Sequence, residues 1–297
     1  MKRRNFLKRT GIAATGLTAL GATTASAATY VPVVSTRGHF DDDANLTAGH
    51  TATDYDTDGT VPGIDTSCVS DMTVFVHGWD KKGSDSDAEA AAEDKMEHAD
   101  SQLDANGYWG TTIGYSWDNN KGGGGDYGWN ESQDIAQQNG PKLAQFLLDY
   151  KYYCGGTIRI VAHSLGAHVT FSALETLDVS SDWDQYGYEI DSVHLIGAAV
   201  DNERPTLEHG DGYYAVANET RATFNYYSND DSTLSWAYNS FEFDQALGET
   251  GKESGNTAPG NYWDYDATSQ VGSNHSGYLD NVSDEIVYHM DNVASYE

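Results

Sequence analysis

The stretch Ile158-Arg159-Ile160-Val161-Ala162-His163-Ser164-Leu165-Gly166-Ala167 decides the expected fold of this chain. Its first half is a short apolar run, typical of a buried strand, and its second half is able to begin a helix. Ser164 lies between the two halves, with a small residue two positions away on each side, Ala162 and Gly166. Small residues are needed there because a tight strand-to-helix turn holds its central residue in a strained backbone conformation. The pattern predicts a serine nucleophile, with backbone N–H groups of the following helix directed at any oxyanion that forms beside it.

Apolar runs alternate with helix-compatible segments along the rest of the chain. We expect strands at 30–36, 72–77, 109–117, 157–162, 192–200 and 222–227, and helices at 84–106, 131–150, 165–177 and 275–293. The runs at 72–77 and 192–200 are largely apolar, as parallel strands buried on both faces usually are. This alternation predicts an α/β fold, a mainly parallel central sheet with helices on both faces. Four consecutive glycines at 122–125 predict a flexible loop over 119–128, a candidate lid.

The first 27 residues resemble an export signal. A pair of arginines followed by Phe-Leu-Lys (residues 3–8) precedes a mildly apolar run that ends in Ala-Ser-Ala at 25–27. We therefore expect a twin-arginine signal over 1–27, recognised by the twin-arginine translocase, and a secreted domain over 28–297. The apolar run is too short to span a membrane and no second span follows, so we expect no stable membrane insertion.

The charge of the chain is strongly acidic. Its formal net charge is -30, and it becomes -35 once the five basic residues of the leader are removed. Such self-repulsion destabilises a compact domain at low salt, whereas molar salt shortens the Debye length to about 3 Å. The composition is similar to that of secreted proteins of extremely halophilic archaea. It also argues against nucleic acid and anionic membranes as partners, and the aromatic fraction of 12% argues against a disordered acidic chain.

The segment Ala162-His163-Ser164-Leu165-Gly166-Ala167 resembles the nucleophile elbow of the α/β-hydrolase superfamily, in its lipase- and esterase-like form. The resemblance covers about residue 72 to the C-terminus, and it departs from the usual pattern in having Ala162 in place of the first glycine. Val74-Phe75-Val76-His77-Gly78-Trp79 resembles the His-Gly segment that follows an early strand in this superfamily. The resemblance implies an oxyanion hole formed by the backbone N–H groups of Trp79 and Leu165.

A serine hydroxyl needs a base, and the chain has ten histidines. The superfamily's order of serine, acid and histidine leaves His209, His275 and His289 as candidates. We favour His275, since it lies in a polar loop that enters the last predicted helix, where relatives carry their histidine. His289 falls inside that helix on a face shared with an isoleucine, and His209 lies in a Glu/Gly/Asp loop.

The acid that orients the histidine is expected at a strand end between Ser164 and His275. The strand at 222–227 runs into an acidic turn whose Tyr-Ser-x-x-Asp pattern resembles that of many relatives, and it points to Asp231. Asp201, after the strand at 192–200, matches the position used by pancreatic-type lipases. Asp230 remains a third candidate.

Two further features stay open at this level. Asp54-Tyr55-Asp56-Thr57-Asp58-Gly59-Thr60-Val61 with Asp65 has the oxygen ligands and glycine of a calcium loop, although no helix evidently flanks it. Cys68 and Cys154 each precede a strand, so both thiols would lie at one end of a parallel sheet, and a disulfide is geometrically possible.

These observations predict a secreted, halophilic serine hydrolase that acts on carboxylic esters, lipid esters among them. Ser164, His275 and Asp231 would form the catalytic triad, and no cofactor or metal would be required. One alternative is a binding protein that keeps the fold without turnover. Another is an amidase or acyltransferase with the same triad, because neither the fold nor the triad determines the leaving group.

Overall fold

A single eight-stranded sheet organises the computed structural model, which describes residues 30–80, 83–123, 126–242 and 244–296. The order of the strands across the sheet is β2-β1-β4-β3-β5-β6-β7-β8. Every adjacent pair is parallel except β1 and β2, which run antiparallel. The prediction of an α/β fold with a mainly parallel sheet is confirmed. The predicted export signal at 1–27 lies outside the described residues.

The strands are short and lie at the following positions: β1 Val33–Ser35, β2 Asp56–Thr57, β3 Asp71–Val76, β4 Thr111–Ser116, β5 Thr157–His163, β6 Ser192–Ile196, β7 Thr223–Tyr227 and β8 Tyr262–Asp266. The helices are α1 Asp85–Ala105, α2 Trp129–Cys154, α3 Gly166–Asp178, α4 Ser181–Asp184, α5 Asp211–Glu219, α6 Ser232–Ala237, α7 Leu247–Thr250, α8 Thr268–Val271 and α9 Tyr278–Asp291. No described helix combines the length and apolar composition that a membrane crossing requires.

Helices cover both faces of the sheet, and each face has its own apolar core. One core joins the sheet to α2 and α3 through residues such as Leu143, Phe146 and Phe171. The other joins it to α1 and α9 through residues such as Met96 and Ile286. The central strands β3 and β5 contribute to both cores, because alternate side chains of a strand point to opposite faces.

A disulfide joins Cys68 to Cys154, with 5.5 Å between the two Cα atoms. Cys68 lies three residues before β3, and Cys154, the last residue of α2, lies three residues before β5. Since β3 and β5 are parallel neighbours, the two cysteines meet at the edge of the sheet where both strands begin. The disulfide that the sequence left open is therefore present.

The predicted elements differ from the observed ones mainly at their ends. The strand expected over 192–200 ends at Ile196, because Gly197 adopts a positive φ of 52° that turns the chain out of the sheet. The last helix begins at Tyr278, since His275–Gly277 forms a separate 3-10 turn. The sequence analysis missed the strands β2 and β8 and five short helices, α4 to α8.

Candidate active site

The turn between β5 and α3 holds Ser164 in a strained conformation. Its φ of 55° lies in the left-handed region, which residues other than glycine seldom adopt. The Ser164 N–H donates a hydrogen bond of 3.1 Å to the Ile196 carbonyl, and its own carbonyl accepts one of 3.1 Å from the Ala199 N–H. The end of β6 and the segment that follows it thus fix both sides of the turn. This is the sharp strand-to-helix bend that the sequence pattern predicted.

Two glycines leave room for this bend. A Cβ atom on Gly166 would overlap the carbonyl oxygen of Val76, so a side chain there would push α3 away from β3. A Cβ atom on Gly78 would lie 2.6 Å from the Cβ of Ser164 and 3.2 Å from its Oγ. The Ser164 side chain therefore rests directly against the backbone at Gly78, next to the peptide that carries the Trp79 N–H.

Asp231 and His275 form a close pair. The distance from Asp231 Oδ2 to His275 Nδ1 is 2.7 Å. Asp231 is fully buried at the N-cap of α6, where its Oδ1 accepts hydrogen bonds of 3.1 Å from the N–H groups of Thr233 and Leu234. The Tyr278 hydroxyl lies 3.3 Å from Oδ2. Because both of its oxygens have hydrogen-bond partners, the buried carboxylate has one fixed orientation.

His163 connects this pair to the turn at Ser164. Its ring centroid is 4.9 Å from that of His275, and its Nε2 lies 3.0 Å from the His275 carbonyl oxygen. A carbonyl can only accept, so His163 Nε2–H is the donor. Burial holds the pKa of His163 well below its ordinary value, which keeps the ring neutral. The residue that precedes Ser164 therefore contacts the predicted catalytic histidine, a contact that the sequence analysis missed.

The alternative acids and bases lie in different surroundings. Asp230 is exposed, although it is the immediate neighbour of Asp231. Asp201 lies near Asp244, and burial together with this second carboxylate raises the pKa of Asp201 to about 6. His209 is exposed in a turn. His289 is buried near the end of α9, where its ring stacks on a phenylalanine ring. These environments match those that the sequence analysis gave to the two histidines.

The predicted oxyanion donors lie at the ends of β3 and β5. Val76 and Ala162 are paired across these two strands, so the residues that follow them emerge side by side. Among the described residues, neither the Trp79 N–H nor the Leu165 N–H donates a hydrogen bond to another protein group. Two unused backbone donors next to Ser164 form the kind of site that binds an oxyanion.

An aromatic cluster extends from Trp79. Its ring packs edge-on against Trp129, with centroids 5.4 Å apart, and Trp129 lies 6.1 Å from Phe241. Phe241 in turn packs against Trp236, which is 44% exposed. Trp129, the first residue of α2, is buried. The cluster forms an apolar wall beside residues 77–79, the oxyanion loop after β3, so named because it carries one of the two predicted oxyanion donors.

The carboxylates of the predicted calcium loop, residues 54–61 with Asp65, have separate partners. Asp58 accepts hydrogen bonds from donors in β1 and its flank, and Asp65 accepts one from the Val61 N–H. Asp54 pairs with the ammonium group of Lys142, at 2.7 Å from Oδ1 and 3.1 Å from its carbonyl oxygen. The side chain of Lys142 is fully buried, and the adjacent charge holds the pKa of Asp54 below its ordinary value. A lysine thus supplies the positive charge that the pattern suggested for calcium.

The sequence matches a known protein family. Residues 61–248 match the model of a family described as "Alpha/beta hydrolase of unknown function (DUF900)". The matched region contains the elbow at Ser164, the His77-Gly78 segment and Asp231, but it ends before His275. A search of curated proteins gave no match. Because the match covers more than half of its length, and the sheet has the corresponding architecture, the chain belongs to this α/β-hydrolase family.

Proposed function

We propose that this protein is a secreted serine hydrolase that cleaves carboxylic esters, with Ser164, His275 and Asp231 as its catalytic triad. The observation that carries the proposal is the 2.7 Å contact between Asp231 Oδ2 and His275 Nδ1, in a pair that contacts His163, the residue before a serine with a φ of 55°. A buried carboxylate on Nδ1 selects the tautomer whose Nε2 is free to accept a proton. Membership of a hydrolase family supports hydrolysis as the reaction class.

In the proposed acylation step, Ser164 Oγ forms a bond to the ester carbonyl carbon while its proton moves to His275 Nε2. The π electrons of the carbonyl move onto its oxygen, and the N–H groups of Trp79 and Leu165 stabilise this oxyanion. The oxyanion then collapses, the bond to the leaving oxygen breaks, and His275 returns the proton to that oxygen. An alcohol leaves and an acyl-serine remains.

Deacylation repeats these steps with water as the nucleophile. His275 takes a proton from the water while the oxygen attacks the acyl carbon, and the Ser164 oxygen then leaves with that proton. The products are the carboxylic acid and the free enzyme. The hydrogen bonds from the N-terminus of α6 keep Asp231 in place while the charge on His275 changes.

The aromatic wall bears on the substrate class. Trp79, Phe241 and Trp236 present apolar surface beside the proposed oxyanion hole, and Trp129 is buried in contact with Trp79 and Phe241. Such surface gains free energy by covering the apolar part of an ester, at about 25 cal/mol for each Å² removed from water. We therefore propose esters with an apolar acyl or alcohol group, lipid esters among them.

We also propose that the protein is exported to a medium of high salt concentration. A disulfide such as Cys68–Cys154 persists in an oxidising compartment, which favours secretion. A net charge of -30 favours a medium of high ionic strength, where the repulsion is screened. Activity should accordingly be measured at molar salt.

The proposal is tested by labelling and kinetics together. At molar salt, a fluorophosphonate probe should label the wild type and fail to label Ser164→Ala, and a p-nitrophenyl ester series should give turnover only with the wild type. Asp231→Asn should lower kcat by about 10³–10⁴-fold, because the histidine then adopts the wrong tautomer. Asp201→Asn, a matched change at the alternative acid, should keep at least half of the activity.

Three results would refute parts of this assignment. A folded wild type that neither reacts with the probe nor turns over any ester would favour the binding-protein alternative. Loss of turnover in Asp201→Asn, with Asp231→Asn unaffected, would transfer the role of the acid to Asp201. Turnover of anilides but not of esters would assign the same triad to an amidase.

A further inference from the structure

The peptide between Gly78 and Trp79 is held from behind. Its carbonyl oxygen, which belongs to Gly78, lies 2.7 Å from Asn119 Nδ2 and 3.0 Å from His77 Nδ1. In a trans peptide the carbonyl and the N–H point in opposite directions. Whatever fixes the Gly78 carbonyl therefore also fixes the direction of the Trp79 N–H, the proposed oxyanion donor.

The backbone sets the protonation of His77. Its Nε2 accepts a hydrogen bond of 3.2 Å from the Trp117 N–H, so the proton of the neutral ring is on Nδ1. Complete burial, with the charge of Arg37 nearby, holds the pKa of His77 well below its ordinary value and keeps the ring neutral. His77 Nδ1–H and Asn119 Nδ2–H consequently both donate to the Gly78 carbonyl.

Arg37 sets the orientation of Asn119. The Asn119 side chain is 1% exposed, and its Oδ1 accepts a hydrogen bond of 3.0 Å from Arg37 Nη2. A guanidinium group can only donate, so the amide must turn its oxygen to Arg37 and its NH₂ group to Gly78. Arg37 is itself held by the Ser116 hydroxyl, at 2.7 Å from Nε, and by the Ala88 carbonyl, at 3.2 Å from Nη2.

We propose that Asn119, oriented by Arg37, is a positioning residue that directs the Trp79 N–H toward the oxyanion. This inference rests on the proposed function, since it assumes that an oxyanion forms beside Ser164. The chain of donors runs from the guanidinium through the amide to the Gly78–Trp79 peptide. Each donor polarises the next group, so the Trp79 N–H becomes a stronger donor as well as a fixed one.

Asn119→Asp tests this role with an almost isosteric change. The carboxylate keeps its pairing with Arg37, which favours folding, but it places an acceptor against the Gly78 carbonyl. We expect kcat for p-nitrophenyl butyrate to fall by about ten- to a hundredfold, below the effect of deleting an oxyanion donor altogether. KM should stay within about twofold, because the ground-state ester does not use this donor fully.

A second readout separates positioning from general damage. A trifluoromethyl ketone adds to serine and carries an oxyanion, so its Ki should rise by the same factor by which kcat/KM falls. Asn120→Asp is the matched control, since it makes the same change at the neighbouring residue, whose side chain bonds to Asp85 instead. It should retain wild-type kcat and Ki. Asn119→Ser, which removes both hydrogen bonds without adding charge, provides a second variant should Asn119→Asp fail to fold.

The outcomes distinguish the inference from the proposed function. Wild-type kcat in either folded Asn119 variant would overturn the positioning role alone, with esterase activity intact. A fall in kcat with an unchanged Ki for the trifluoromethyl ketone would also overturn it, because the oxyanion would then be bound normally. A wild type inert to ester and probe would overturn the proposed function and this inference with it.

Discussion

The contact between Gly78 and Ser164 yields the sharpest prediction. In Gly78→Ala the new Cβ atom would lie 2.6 Å from Ser164 Cβ, about 0.8 Å closer than the 3.4 Å at which ordinary contact begins. The same atom would lie 2.9 Å from the His163 carbonyl oxygen. Ser164 has little freedom to move away. Its N–H bonds to the carbonyl of Ile196 at the end of β6, and its carbonyl accepts a hydrogen bond from the Ala199 N–H. The oxyanion loop must therefore move instead.

The size of this shift sets the expected loss of activity. A misplacement of about 1 Å between reacting groups costs on the order of 10²-fold in rate, so we expect kcat to fall by about 10- to 100-fold. Overpacking of this kind also costs about 1–3 kcal/mol of stability, which leaves a domain of this size folded at molar salt. The loss should appear in kcat measured for each active site that a fluorophosphonate titrates.

The matched control for this change is Gly260→Ala. Gly260 is exposed, and a Cβ atom added there would meet no atom within 4 Å. It should leave kcat and melting temperature at their wild-type values. Gly78→Ala with wild-type kcat would refute the reasoning, since it would show that the loop absorbs the methyl group without displacing either the nucleophile or the oxyanion donors.

Three further predictions concern stability. Replacing Cys68 and Cys154 by serine together opens a loop of 86 residues, so the free energy of unfolding should fall by about 4 to 5 kcal/mol, as urea titration would show. Burial raises the pKa of Glu219 to about 7, against about 4.5 when unfolded, so the native state binds more protons between these values and loses stability as pH rises through them. Glu219→Gln should therefore gain in stability relative to wild type from pH 5 to pH 8, and an equal difference at both pH values would contradict this. Ala162→Gly, which restores the usual elbow glycine inside β5, should cost about 1 kcal/mol by thermal melting while kcat stays unchanged.

The features that could be predicted from the sequence are those determined by residues close together in the chain. The elbow at Ser164 could be predicted because an apolar strand and two small residues are sufficient to describe it. The helix expected over 84–106 also matches α1 closely, because Ser84 caps it by accepting a hydrogen bond from the Asp87 N–H. In both cases the deciding residues lie within a few positions of each other, so no knowledge of the tertiary structure was needed.

The sequence alone could not distinguish clearly between the neighbouring acids Asp230 and Asp231. Asp230 and Asp231 follow the same strand and differ by one position. In the structure Asp231 is fully buried at the N-cap of α6, whereas Asp230 is exposed. The helix that makes this difference is six residues long and was missed, since its apolar pattern is too short to recognise.

Contacts between distant parts of the chain could not be read from the sequence at all. Lys142 lies 88 positions from Asp54, and nothing near either residue indicates that they meet. Arg37 and Asn119 are likewise separated by 82 positions. A weak signal did exist for Asn119, because it follows a predicted strand whose carboxyl end lies at the same edge of a parallel sheet as the elbow.

The support of the oxyanion loop reaches outside the region that matches the family. That region begins at residue 61, whereas Arg37 comes from the turn after β1. β1 is itself paired with β4, and it brings the guanidinium group to the Ser116 hydroxyl at the end of that strand. Without this segment, Asn119 would lose the donor that orients its amide, and a rotation of that amide would turn an acceptor toward the Gly78 carbonyl. The residues before 61 are thus built into the candidate site, which extends beyond the region that matches the family.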